Sequence, residues 1–142
     1  MHKVEVEILK KRALEFLEES KAALNRGFYD VACFLAEQAV QLFLKAVLLE
    51  LTGDYPRTHS IRRLLGDVLR IIRDDDLREF AKRNRVRLLA LEDAYLMARY
   101  FTREYHEEDA KDMVELAYEL TALISRVLGG GKRGSHDPFK KG

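Results

Sequence analysis

The chain has 142 residues, 47% of them apolar and 35% charged, which supplies one hydrophobic core and a well-solvated surface and fits a single domain. Lys and Arg total 25 against 24 Asp and Glu, so a net charge of +1 excludes the global charge excess that steers nucleic-acid and membrane-surface binders, while a local basic patch stays compatible. The single cysteine, Cys33, excludes an intrachain disulfide, and its apolar surroundings make it a small core residue.

The first residues, Met1 to Glu5, are charged and periodic, unlike a secretory leader. No apolar run is read as approaching the roughly twenty residues that span a bilayer. The expected compartment is therefore the cytoplasm, with no membrane partner. Cys/His metal clusters and glycine-rich phosphate loops are absent from the sequence, so no cofactor is expected.

In chain order, Val6, Leu9, Ala13, Phe16 and Ala23 fall at alternating steps of three and four, predicting a helix from about Val4 to Arg26 that ends at Gly27. A second helix is predicted from Phe28 to Leu51. It carries one stripe through Val31, Leu35, Leu42, Ala46 and Leu49, and further apolar residues on its other sides. A helix apolar nearly all round has to be covered nearly all round, by a central position, a dimer contact, or both. Glu37, Gln38 and Gln41 on this helix read as a buried polar network or as a dimer contact.

Thr52 to Arg57 is a loop, punctuated by Gly53 and Pro56. A short third helix follows from Ser60 to Arg73, with Thr58 or Ser60 as its cap. Asp74, Asp75 and Asp76 suit the start of the next helix. The spacing predicts that helix as one piece, from Leu77 to Tyr100, and a last one from Glu107 to Leu128. The fold class expected is all-α, an up-and-down bundle of four long helices plus one short helix over residues 1–128, with residues 129–142 as a flexible polar tail.

Three segments resemble the HEPN domain family. The first is the second helix, with its aromatic start Phe28-Tyr29, its Gln38-Ala39 pair and its Leu44-Lys45-Ala46. The second is Thr58-His59-Ser60-Ile61 followed by Leu64-Leu65. The third runs from Asp93-Ala94-Tyr95 through Arg99-Tyr100 to Glu104-Tyr105 and the acidic helix start Glu107-Glu108-Asp109. The order and spacing of the three, over roughly Val4 to Leu128, carry the resemblance. It implies a helical bundle that forms a homodimer. Short prokaryotic members are commonly encoded beside a minimal nucleotidyltransferase, in pairs that look like toxin–antitoxin systems. The resemblance therefore implies that nucleotidyltransferase as partner and leaves RNA or nucleotide open as a further ligand.

The wider family includes metal-independent ribonucleases whose signature is an Arg and a His separated by four to six residues. Arg99 and His106, with six residues between them, match that spacing. The chemistry is coherent. Cleavage by the 2′-OH needs a base, for which histidine is suited near neutrality, and a guanidinium fork for the phosphate oxygens. Against it, Tyr100 follows the Arg where active ribonucleases carry a polar residue. Glu104, Glu107, Glu108 and Asp109 also surround the pair with a field that repels RNA. The alternative is that Arg99 pairs with these carboxylates and His106 is an exposed neighbour of a helix cap.

His59 reads either as a nucleotide- or partner-contacting residue or as a ring that fastens its loop to a helix end. Arg78, Lys82 and Arg85, at steps of four and three on one predicted helix, read as an RNA or nucleotide contact or as a solvated outer face, with Arg83 and Arg87 beside them. Arg57, Arg62 and Arg63 read the same way. Lys132, Arg133, Lys140 and Lys141 in the tail are suited to nonspecific polyanion contact. Three functions stay open: an interaction subunit for a nucleotidyltransferase, a ribonuclease toxin, and a non-catalytic scaffold.

Overall fold

The computed structural model describes residues 2–102 and 104–129. The expected tail, with its four basic residues, falls outside the described residues from position 130 onward. The described residues form six helices and no strand: α1 (Lys3–Asn25), α2 (Tyr29–Thr52), α3 (Ile61–Ile71), α4 (Asp75–Arg83), α5 (Arg85–Tyr100) and α6 (Glu107–Leu128). The all-α bundle read from the sequence is the fold.

α1 and α2 form an antiparallel hairpin. Gly27, in the left-handed region at φ 78°, makes the turn, and Lys10 Nζ reaches Glu50 near the far end of α2 at 3.0 Å. α1 gives Val6, Ala13, Leu17, Ser20 and Ala23 to the interface, a stripe at steps of three, four and seven. α2 is the hub and packs against α1, α3, α5 and α6. That central position is why its sequence is apolar on nearly every side. Phe43 and Leu44 are buried within it, against a core completed by Leu17, Leu91, Leu116 and Leu120. Gly53, at φ 88°, stops α2 in the left-handed conformation that a side chain would resist.

Two sequence expectations need correction. By length and composition α2 is apolar enough to cross a bilayer, contrary to the reading that no such run exists; most of the stretch is buried inside the bundle. The fourth long helix is also two helices, interrupted at Asn84. The Asn84 side chain is buried. Its Nδ2 donates to the Phe80 carbonyl at 2.8 Å, and its Oδ1 accepts from Arg87 Nη1 at 2.7 Å. A side chain that competes for backbone partners in this way is a local reason for a helix to break.

Caps fall where short polar side chains stand. Ser60 Oγ accepts from the Arg63 amide at 3.1 Å to start α3, and Asp74 Oδ1 accepts from the Leu77 amide at 2.9 Å to start α4. The α5–α6 connection is tied to the start of α2, where Asp30 Oδ1 accepts from the Tyr105 amide at 2.7 Å.

Candidate functional site

One face of α2 carries Phe34, Glu37, Gln38, Gln41 and Lys45, which helical spacing sets on a single side. Opposite it lie the α2–α3 loop, with Tyr55, Arg57 and His59, and the α5 residues Glu92, Tyr95 and Arg99. Glu37 is fully buried. Both its oxygens accept, one from Gln38 Nε2 at 2.8 Å and the other from Gln41 Nε2, and Gln41 in turn accepts from Lys45 Nζ at 3.3 Å. Of the two sequence readings, this is the buried polar network.

Burial pushes the Glu37 carboxyl up to about 7, although the amides of Gln41 and Gln38 pull the other way. Burial also lowers the half-buried Lys45 ammonium, against the opposing attraction of Glu37. Glu92 behaves in the opposite manner. Its partial burial is outweighed by hydrogen bonds from the Arg62 backbone and side chain and from the Ser60 hydroxyl, which together hold its carboxyl below the usual range.

At one end of this face the His59 and Tyr95 rings are stacked, centroids 4.2 Å apart and planes 19° from parallel, with His59 Nε2 3.4 Å from Tyr95 Oη. Phe34 supports Tyr95 at 6.3 Å. Arg99 Nη1 donates to Tyr95 Oη at 2.9 Å, and the guanidinium lies over the Tyr95 and Tyr100 rings. At the other end, Lys45 and Arg57 both approach the Tyr55 ring.

The structure thus brings together two residues that the sequence suggested for different roles, His59 and Arg99, with Tyr95 between them. His106 stands apart as the exposed N-cap of α6, where its backbone N–H donates to Asp109 Oδ2 at 3.0 Å. Among the described residues no hydrogen bond or ring contact joins Arg99 to His106, and Arg99 makes no ion pair with the acidic start of α6.

Arg78, Lys82 and Arg85 are all exposed. They do not share one helix, because the break at Asn84 puts Arg78 and Lys82 on α4 and Arg85 at the start of α5. Arg78 is paired with Asp75 at 3.0 Å. Arg87 instead bridges α5 to α6, through Asp112 at 2.8 Å and Glu119 at 3.4 Å. Arg62 is paired with Glu92, and Arg63 approaches Asp67. Cys33 is buried as expected, and burial pushes its thiol up to about 12, the state of an inert core residue.

Sequence reasoning gave Tyr95 no site role beyond its place in the third resembling segment, and it did not single out Tyr55 or Glu92. Tyr95 reads as one more apolar position of the α5 stripe; its place one helical turn before Arg99 is the signal that links it to the site.

Comparison with known proteins places this arrangement in a family. No curated protein matches the sequence. A crystal structure of ST0689, an archaeal HEPN homologue, is similar with a TM-score of 0.62 and 27% identity over 89% of this chain and 98% of that one. The family model of the HEPN domain matches residues 6–127, nearly the whole of the six-helix bundle, and the chain belongs to the HEPN domain family.

Proposed function

We propose that this chain is the HEPN subunit of a two-component, toxin–antitoxin-like system in the cytoplasm, a homodimer that binds a minimal nucleotidyltransferase. The observation that carries the reading is the end of α5. Leu96, Tyr100 and Phe101 are 48%, 63% and 59% exposed there, three large apolar side chains close together in sequence, while Val4 and Val86, more exposed still, lie on other parts of the bundle. Phe28 and Val31, 54% and 49% exposed, border a nearby open pocket of about 330 Å³ shared with Glu104 and Tyr105. Exposed large apolar side chains grouped at one helix end are the kind of surface that contact sites use.

The test is sedimentation of the purified chain at micromolar concentration, followed by co-expression with a minimal nucleotidyltransferase if a reading frame for one lies beside its gene. The wild type is expected to sediment as a dimer and to retain the partner through purification. Phe101→Asp combined with Leu96→Asp is expected to sediment as a folded monomer. A wild-type monomer that retains no partner would overturn the proposal.

A second reading, a metal-independent ribonuclease with His106 as base and Arg99 as phosphate ligand, is favoured by one observation. Both side chains are exposed and flank the same α5–α6 connection, beside the surface proposed for dimerisation. A dimer built there would bring two such pairs near one another.

A further inference from the structure

The end of the bundle farthest from the α5–α6 connection carries a pocket of its own. α1 and α2 are antiparallel, so the start of α1 lies beside the end of α2. Between them is an open pocket of about 520 Å³, lined by the buried Val6 and Leu49 and by Leu51, which is 39% exposed. Charges flank this apolar lining. Lys3 and Glu7 stand one helical turn apart on α1, both exposed and without an ion pair among the described residues, while Lys10 is held by Glu50.

α6 ends near the same place. The segment before it is tied to the start of α2 through Asp30 and the Tyr105 amide, and Tyr118 Oη donates to the Leu17 carbonyl of α1 at 3.4 Å, so α6 runs antiparallel to α1. From that contact α6 continues for ten residues to Leu128, about 15 Å, and α1 runs back eleven residues to Val6, about 16 Å. The end of α6 is therefore level with the pocket. Beyond Leu128 the sequence holds a single large apolar side chain, Phe139, within Asp137-Pro138-Phe139-Lys140-Lys141. The ten residues from Gly129 to Phe139 can reach about 33 Å, against a helix diameter of about 10–12 Å, so the pocket is within their span.

We propose that Phe139 of the same chain seats in this pocket, with Asp137 beside Lys3 and with Lys140 and Lys141 beside Glu7 and Glu50. The charge order of the segment matches that of the rim. An acid suits the start of α1 and cations suit the end of α2, because the unpaired amides of the one and the unpaired carbonyls of the other carry opposite partial charges. An aromatic ring fits the volume, and seating it removes a large apolar surface from water. The inference is independent of the proposed dimer surface, which lies by the start of α2, about 30 Å away along that helix.

The chain has no tryptophan, so Phe139→Trp in the full chain is a lone fluorescent reporter. Its emission is expected to lie to the blue of free N-acetyltryptophanamide and to be quenched by acrylamide about 3-fold less, as for an indole held against apolar side chains, and urea is expected to abolish both differences. Glu7→Lys combined with Leu51→Lys changes two exposed positions of the rim and leaves the core intact. In the Phe139→Trp background this pair is expected to return the emission to that of the free indole, with helix content by circular dichroism unchanged. A segment tethered to its own pocket meets it at a millimolar-range effective concentration, so the emission is expected to hold over an about 100-fold dilution. Three results would overturn the proposal: the emission and quenching of a free indole in the folded chain, a blue shift that survives the rim variant, or a blue shift lost on dilution, which assigns the pocket to the same segment of a second copy. Sedimentation of the same samples reports separately whether the dimer exists.

Discussion

Glu37 is a buried carboxyl held by neutral amides. The groups that face it are Gln38, Gln41 and Lys45 along α2 and Glu92 across on α5. Its folded-state value of about 7 lies above the ordinary 4.5, so the folded protein holds this proton more tightly than the unfolded chain. The stability it contributes is therefore full below about pH 4.5 and is lost as pH rises through about 7, by on the order of 3 kcal/mol at most. Glu92 acts in the other direction. Its depressed value adds stability that is lost only as pH falls below the ordinary carboxylate range, so the two windows separate. Glu37→Gln imitates the protonated state. Urea unfolding of the two proteins is expected to give nearly equal stabilities at pH 5 and a variant more stable by about 1–3 kcal/mol at pH 8. A variant less stable at pH 8 would mean that the carboxylate itself, through Gln41 and Lys45, holds the helix face in place.

At the level of elements, the α2–α3 loop is locked by one hydroxyl. Ser60 caps α3 and also donates to Glu92 of α5, so a single side chain joins a helix start to a neighbouring helix. Ser60→Ala is expected to lower stability by about 1–2 kcal/mol, read as a lower urea midpoint at unchanged slope, and Ser60→Thr to recover most of it. A midpoint equal to wild type would show that Glu92 and Arg62 hold the loop unaided. The sequence made the cap legible, since Ser60 stands directly before an apolar helical stripe. It did not reveal the break at Asn84, because Leu77, Phe80, Leu88 and Leu91 keep their rhythm through it and asparagine is only a weak helix breaker. Nor did it distinguish Arg87 from its basic neighbours, since the two α6 acids that engage it lie 25 and 32 residues away. The site was half legible for the same reason. His59 and Arg99 stand out as residue types, but the tyrosine between them gains its meaning only when the loop docks on α5.

For the whole molecule, the question is whether the bundle cuts RNA or presents a surface. Within one chain, the Arg99 guanidinium donates to Tyr95 and lies over two tyrosine rings, while the backbone of His106 is engaged in starting α6. A base and a phosphate ligand that act on one 2′-OH and its phosphate must both reach that linkage, within hydrogen-bond distance of the reacting atoms. The acidic first turn of α6, Glu107, Glu108 and Asp109, lies immediately beside His106 and disfavours an approaching phosphate. The binding-subunit reading therefore expects no cleavage when the purified protein, free of its partner, is incubated with RNA in EDTA. His106→Ala and Arg99→Ala run beside it make the outcome decisive. Cleavage by the wild type that both folded variants lose would establish the Arg99–His106 pair as catalytic and displace the binding-subunit reading. Cleavage that survives in either variant would point to a contaminating nuclease, because in this chemistry neither the base nor the phosphate ligand is dispensable.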